Sequence, residues 1–206
     1  MERRATIEDT TDDGEEWVDE VDERNQVVGR VTRKRAVEEG LHHRAVYVWL
    51  CSKGGELLLQ RRARSKRIGG GQWDISVAEH LLPGETYREA ARRGLAEELN
   101  IFDIDLSEHP FLEPHYRRLS FPQSNAVESE FVASFIVDRW SAEDLHVDPV
   151  EVAEVRWWRP EEVCLRVDSF YCRAFPRLCC CVRCWVSCTL LADRGWRSTW
   201  VGYRTS

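Results

Sequence analysis

The sequence predicts a mixed α/β domain built in layers, on three observations. Strand patterns dominate the chain, one strongly marked helix lies near its middle, and the elements do not alternate as a doubly wound parallel sheet requires. The 206 residues are 43% hydrophobic and 32% charged, enough for one buried core and unlike a membrane-embedded or globally disordered chain. No run of about 18 apolar residues occurs, so no transmembrane helix is expected.

Taken in order, residues 1–16 (MERRATIEDTTDDGEE) are acidic and offer little to bury, which predicts a disordered leader. From Trp17, WVDEVDERNQVVGRVTR alternates apolar and polar residues around Glu23–Gln26 and reads as a hairpin. RAVYVWLCS (44–52) is β-branched and aromatic, and Gly54-Gly55 turns it into ELLLQRR (56–62), a second hairpin. WDISVAEHL (73–81) reads as a further strand. The helix is expected over Tyr87–Leu99. Thr86 with Glu89 three residues on makes a capping box, Ala90, Ala91 and Leu95 recur at helical spacing, and Asn100 suits a left-handed C-terminal cap. Strand patterns return at 115–122, 128–140 and 151–160, and Pro160-Glu161-Glu162 reads as the start of another helix. The ordered domain is therefore expected over 17–162.

Charge and cysteine are both unevenly placed. The formal net charge is −7; residues 1–26 hold eleven acids against three arginines, net −8, so the remaining 180 residues sum to +1. That excludes a duplex-DNA binder but leaves room for a phosphate pocket. Of eight cysteines only Cys51 precedes residue 164. A disulfide-stapled secreted domain spreads its cysteines, so a reducing, cytoplasmic location is expected. Cys179, Cys180, Cys181, Cys184 and Cys188 have thiolate character but lack two well-separated ligand pairs. Residues 163–206 are read as a divergent, Cys-rich and poorly packed tail.

Chemistry concentrates at the helix. Arg93 and Glu97 are four apart and share a face, Glu98 projects about 100° further round, and Glu85 stands just before the first turn. These acids suit a solvated helix face. Following a strand and a loop, they also suit hard oxygen ligands aimed at a divalent cation, with Mg2+ or Mn2+ the best fit. Arg61 to Arg67, following Gln60, places five cations in seven residues, either a solvated basic loop or an RNA-contacting patch, the latter weakened by the lack of interleaved aromatics and the net charge of −7. Trp73 either stacks on a base or packs as core.

Glu85-x7-Arg93 followed by Leu95-x-Glu97-Glu98-x-x-Ile101 resembles the Nudix box, G-x5-E-x7-R-E-U-x-E-E-x-G-U with U aliphatic. The branch it is similar to comprises isopentenyl-diphosphate isomerases and their hydrolase relatives. VDERNQVVGRVTR, LHHRAVYVWL, ELLLQRRARSKRIGGGQWDIS and the ESEF of 128–131 carry that likeness. The resemblance implies an α/β/α sandwich with a mixed β-sheet, whose box helix binds a divalent metal and a substrate pyrophosphate. It implies Glu97, Glu98, Glu130, Glu85 and the Ala78 carbonyl as metal ligands, with Arg93 orienting the carboxylates. Arg62 and Lys66 are assigned to the diphosphate.

Three box positions depart from the pattern: Glu79 and Asn100 stand where it has glycines, and Gly94 where it has a glutamate. Asparagine tolerates a left-handed conformation. Glu79 brings a side chain to a position where the backbone is expected to turn. Gly94 removes a carboxylate, so activity is expected to be impaired and Gly94→Glu to raise turnover.

The resemblance also separates two reactions. An isomerase needs a cysteine where this chain has Ala78, and a histidine expected in its metal site is replaced by Leu50, although His43, His80, Glu128 and Glu130 fall on matching positions. The Glu97-Glu98 pair is the hydrolase pattern. The expected protein is a metal-dependent hydrolase of a small, nucleoside-diphosphate-like substrate, with neither DNA nor membrane as partner. An isopentenyl-diphosphate isomerase-like protein and a catalytically impaired ligand-binding domain are the alternatives.

Overall fold

One eleven-residue strand organises the molecule. In the computed structural model, which describes residues 15–140, 145–159 and 162–163, this is β3 (His42–Ser52). Before it come β1 (Trp17–Val21) and β2 (Val27–Thr32), the expected antiparallel hairpin. Its turn closes on Asp22, whose Oδ1 accepts from the backbone N–H of Arg24 and of Gln26, while Asn25 takes φ 61°.

The helix α1 (Arg33–Glu39) was not anticipated. Seven residues are too few for a periodic pattern, but the ends were legible: the Thr32 hydroxyl accepts from Arg35 N–H, and Gly40 closes the helix at φ 67°.

The strand β3 runs parallel to β8 (Ala126–Trp140) and antiparallel to β6 (Val77–His80), while β7 (Leu112–Phe121) pairs antiparallel with the far side of β8. It meets β4 (Leu57–Arg62) only at Cys51 and Leu57. From there β4 is flanked by β5 (Trp73–Asp74) and β9 (Val152–Trp158) instead. The strand expected over 73–81 therefore breaks in two. Ser76, fully buried at the break, donates to the Leu58 carbonyl at 2.6 Å and accepts from Leu50 N–H at 2.9 Å, satisfying ladder groups where the sheet splits.

Side-chain alternation along β3 makes the layers. Val46, Val48 and Leu50 join Val77, Phe135 and Val137 against Ala90, Ala91, Leu95 and Leu99 of α2 (Tyr87–Leu99), forming the main core. Ala45 and Tyr47 pack with Ile75 and Val132 in a separate cluster. The other helix, α1, sends Val37 to Ile68, Phe121 and Ala126. The result is the expected α/β sandwich with a mixed sheet. The α2 boundaries agree with expectation: both halves of the Thr86–Glu89 capping box form, and Asn100 adopts φ 55°.

Among the described residues no helix is long and apolar enough to cross a membrane. Residues 1–14 of the leader and 164–206 of the tail lie outside the described residues, as does most of the helix expected after Pro160.

Candidate active site

The parting of β3 from β4 opens a cleft of about 640 Å³, a volume that includes its solvent-open mouth. Its walls come from β3, β4, β6, α2, β7 and β8, and its lining is dominated by charge.

On one side, strand register gathers four buried ligand-type residues. The parallel β3–β8 pairing sets His43 opposite Glu130, and β3–β6 pairing sets His80 opposite Ala45, two residues further along the same face. Glu128 follows on the same face of β8. One ligand atom from each of His43, His80, Glu128 and Glu130 lies within 4.8 Å of all the others. His43 Nε2 is 3.3 Å from Glu128 Oε2, and His80 Nε2 is 3.3 Å from Glu130 Oε1.

The outer atoms of this group are anchored. His43 Nδ1 is 2.9 Å from the Leu41 carbonyl, which can only accept, so Nδ1 carries a proton and Nε2 faces inward. Arg117 holds Glu130 Oε2 through Nε at 2.7 Å and Nη2 at 2.5 Å. Inside, His43 Nε2, His80 Nε2 and Glu128 Oε2 have no hydrogen-bond partner. Buried polar atoms left this way and converging within metal-ligand reach fit a divalent cation, and a mixed nitrogen–oxygen set fits a transition ion such as Mn2+ better than Mg2+. Without a cation, burial and Arg33 work against protonation of His80, but Glu128 and Glu130 outweigh both and lift it to about 9. Against the cost of burial, His43 and His80 hold Glu128 well below the usual carboxylate range.

Leu50 is not part of this group. It lies fully buried in the main core, so position 50 adds no ligand to these four.

The box residues divide between the cleft and the outside. Glu98 is buried in the cleft, its Oε2 accepting from Gln60 Nε2 at 2.5 Å. Burial, followed by the Glu79 charge, pushes its carboxyl well above the ordinary value. Arg93 gathers the rest: Nη1 lies 3.1 Å from Glu97 and 3.3 Å from Glu79, Nη2 lies 3.0 Å from Glu85, and Nη2 also donates to the His80 carbonyl at 2.7 Å. Of the expected metal ligands, Glu98, Glu130 and Ala78 line the cleft, whereas Glu85 and Glu97 do not. The Glu97 side chain is 55% exposed, because its position on α2 faces Arg93 and solvent rather than the cleft.

Two sequence expectations change sign here. Glu79 sits in regular strand backbone, outside the described positive-φ residues, so it strains nothing. A Cβ on Gly94 would meet Val77 Cγ1 at 2.7 Å and Glu79 Cβ at 3.2 Å, so Gly94→Glu alone crowds the helix–strand contact instead of restoring a lost group.

On the opposite wall, Arg62 reaches Asp74 at 3.6 Å and donates to the Ile68 carbonyl, while Lys66 pairs with Glu151 at 2.5 Å. Both line the cleft as expected. Arg33, Gln60, Arg117 and Glu151 line it too and were missed. They are far apart in sequence, and only the Thr32 cap of α1 hinted that Arg33 begins a helix. Trp73 does not line the cleft; it packs edge-on against Trp158 at 5.4 Å, so it is a core residue rather than a base-stacking one.

The fold is thus a mixed-sheet sandwich that sets a capped helix beside a cleft lined by carboxylates and cations together. The sequence profile of the NUDIX domain matches residues 41–178, and the chain belongs to that family. An uncharacterised Nudix hydrolase of Yersinia pestis is 33% identical over 157 residues, 75% of this chain and 79% of its own length. An isopentenyl-diphosphate Delta-isomerase of Burkholderia multivorans is 30% identical over 167 residues, 74% of this chain and 87% of its own. The crystal structure of DR0079 from Deinococcus radiodurans superposes with a TM-score of 0.58 at 29% identity, covering 75% of this chain and 90% of that one.

Proposed function

We propose that this protein is a divalent-metal-dependent hydrolase that cleaves the diphosphate linkage of a small, nucleoside-diphosphate-like substrate. The observation that carries the reading is the single cleft in which Glu98, the His43–His80–Glu128–Glu130 group and the cations Arg62 and Lys66 face one another. Four buried side chains converging with unpartnered inner atoms fit a metal, and His43, His80, Glu128 and Glu130 would hold it, with Glu98 and the Ala78 carbonyl holding Mg2+ or Mn2+ nearer the helix. A divalent cation, when bound, supplies Lewis-acid polarisation of a phosphoryl oxygen and acidifies an attacking water.

The chain's own residues do the rest. Arg62 and Lys66 seat the phosphate oxygens, a guanidinium fork beside a point charge, with Lys66 exchanging Glu151 for substrate. Gln60 orients Glu98, shielded from solvent, and Arg117 orients Glu130, so that each carboxylate presents one oxygen to the cleft as a ligand. Arg93 keeps Glu79, Glu85 and Glu97 in register. The free, buried Cys51 is in keeping with a reducing, cytoplasmic setting.

The test is a screen of nucleotide sugars, dinucleoside polyphosphates and prenyl diphosphates with Mg2+ or Mn2+, followed by 31P NMR. Cleavage of at least one class is expected, with Glu98→Gln lowering kcat at least about 100-fold and Arg62→Ala acting mainly on KM. Folded protein that cleaves none of them in either metal refutes the reading.

The isomerase reading has one observation in its favour, the complete His43–His80–Glu128–Glu130 group. Against it, Ala78 lines the cleft with no acid or base to move a proton on carbon. Deuterium uptake from heavy water into isopentenyl diphosphate without phosphate release would replace the first reading with the second.

A further inference from the structure

Gly94 is in the interior of α2, where glycine is the poorest helix former short of proline. The space its side chain would occupy is already filled. A Cβ there would lie 2.7 Å from Val77 Cγ1, 3.2 Å from Glu79 Cβ and 3.5 Å from Glu79 Cγ, so side chains rooted at positions 94 and 79 start from adjoining space. The facing strand carries Glu79 opposite Val46 in unstrained extended backbone, and its carboxylate reaches Arg93 Nη1 at 3.3 Å while lining the cleft with Glu98. The same cleft independently presents His80 Nε2 and Glu128 Oε2, buried and without hydrogen-bond partners, as expected where a cation belongs.

We propose that Glu79 and Gly94 are a compensated exchange, in which the carboxylate that the box pattern carries on the helix is delivered to the same space from strand β6, so that Glu79 and Glu98 together ligate a divalent cation. The glycine is then a steric requirement of the strand face that Val77 and Glu79 present to the helix, and not a lesion. The chemistry is conserved in number of charges and moved by one element. This inference rests on the hydrolase reading for its purpose, but its metal arm stands apart from turnover.

The experiment titrates Mn2+ into the full-length, reduced protein, following the free-ion signal by electron paramagnetic resonance, with diphosphate cleavage measured in parallel. Wild type, Glu79→Gln and Gly94→Glu are compared, and the paired Glu79→Gly/Gly94→Glu exchange is made in a Val77→Ala background, which removes the Cγ1 that crowds position 94, and set against Val77→Ala itself, each checked for folding by circular dichroism. Glu79→Gln is expected to weaken one class of Mn2+ site at least tenfold and turnover about 100-fold, while a class that depends on His43 persists. Gly94→Glu alone is expected to raise neither. The paired exchange is expected to return both to within about threefold of Val77→Ala, a rescue that a merely structural or long-range charge effect of Glu79 does not give. If Gly94→Glu fails to fold, Glu79→Gln and the paired protein still decide.

An active wild type whose Mn2+ titration ignores Glu79→Gln overturns the exchange alone, as does a folded paired protein no better than Glu79→Gln. Mn2+ binding that depends on Glu79 in a protein that cleaves nothing sinks the hydrolase reading and leaves the exchange standing. A wild type that binds no Mn2+ removes both.

Discussion

Replacing Gly94 with alanine sets two general rules against each other, and the structure decides between them. Helix propensity alone predicts a gain of about 1 kcal/mol for alanine over glycine in a helix interior. The added Cβ, however, lies 2.7 Å from Val77 Cγ1, where relaxed carbon contacts sit at about 3.5–4.0 Å. Both partners are wholly enclosed: Val77 is fully buried, and α2 is pinned on either side of Gly94 by Ala90, Ala91 and Leu95. The helix and β6 must therefore separate by several tenths of an ångström, and overpacking of that kind costs about 1–3 kcal/mol. The expected net effect of Gly94→Ala is a loss of about 1 kcal/mol, or a Tm lower by about 2–4 °C. Urea unfolding of the reduced protein, followed by circular dichroism, would read this as a lower midpoint at unchanged slope. Val77→Ala removes the offending Cγ1, so in that background Gly94→Ala should cost nothing or stabilise, a coupling of about 1 kcal/mol or more. A higher midpoint for Gly94→Ala in the otherwise wild-type protein would refute the reasoning, because propensity would then have won.

Further outcomes follow from the same geometry. Ser76→Ala removes the bridge between Leu50 N–H and the Leu58 carbonyl, leaving two buried backbone groups unpaired at the split in the sheet, and is expected to cost about 3 kcal/mol in a denaturant titration. Burial, with Asp138 nearby, pushes the Cys51 thiol up to about 12. A thiol with a raised pKa stays protonated throughout ordinary buffers, so Cys51 should resist iodoacetamide in the folded protein from pH 7 to pH 9 and react once unfolded, as peptide mass spectrometry would register. Mn2+ at about 100 times its dissociation constant should stabilise the fold by about 2.7 kcal/mol, a gain that a chelator reverses and that His43→Ala diminishes in thermal melts.

The helix that carries the box was legible because its signals are local. Thr86, Glu89 and Asn100 act within a few residues of where they stand, and the capping box and the left-handed cap form as their spacing requires. The hairpins and strands were legible for the same reason, from alternation and turn residues. The helix α1 was not, since seven residues between two caps give periodicity too little length. Nor was the break at Ser76, which exists only because β4 parts from β3 and the serine must satisfy groups on both.

What the amino-acid order determined by itself was the family, the sandwich, the capped helix and the identities of Glu98, Arg62 and Lys66 as cleft residues. What only the tertiary structure decided was register and facing. Pairing across β3, β6 and β8 is what converts His43, His80, Glu128 and Glu130 into one buried group, and the β7–β8 register is what hands Arg117 to Glu130. The same is true of Glu79 and Gly94, which read as two separate departures along the chain and meet, with Val77, across one helix–strand contact. The physical reason is range. Capping and periodicity act over a few bonds and leave their mark in adjacent letters, whereas steric fit and charge pairing act over a few ångströms between residues that sequence separation does not relate.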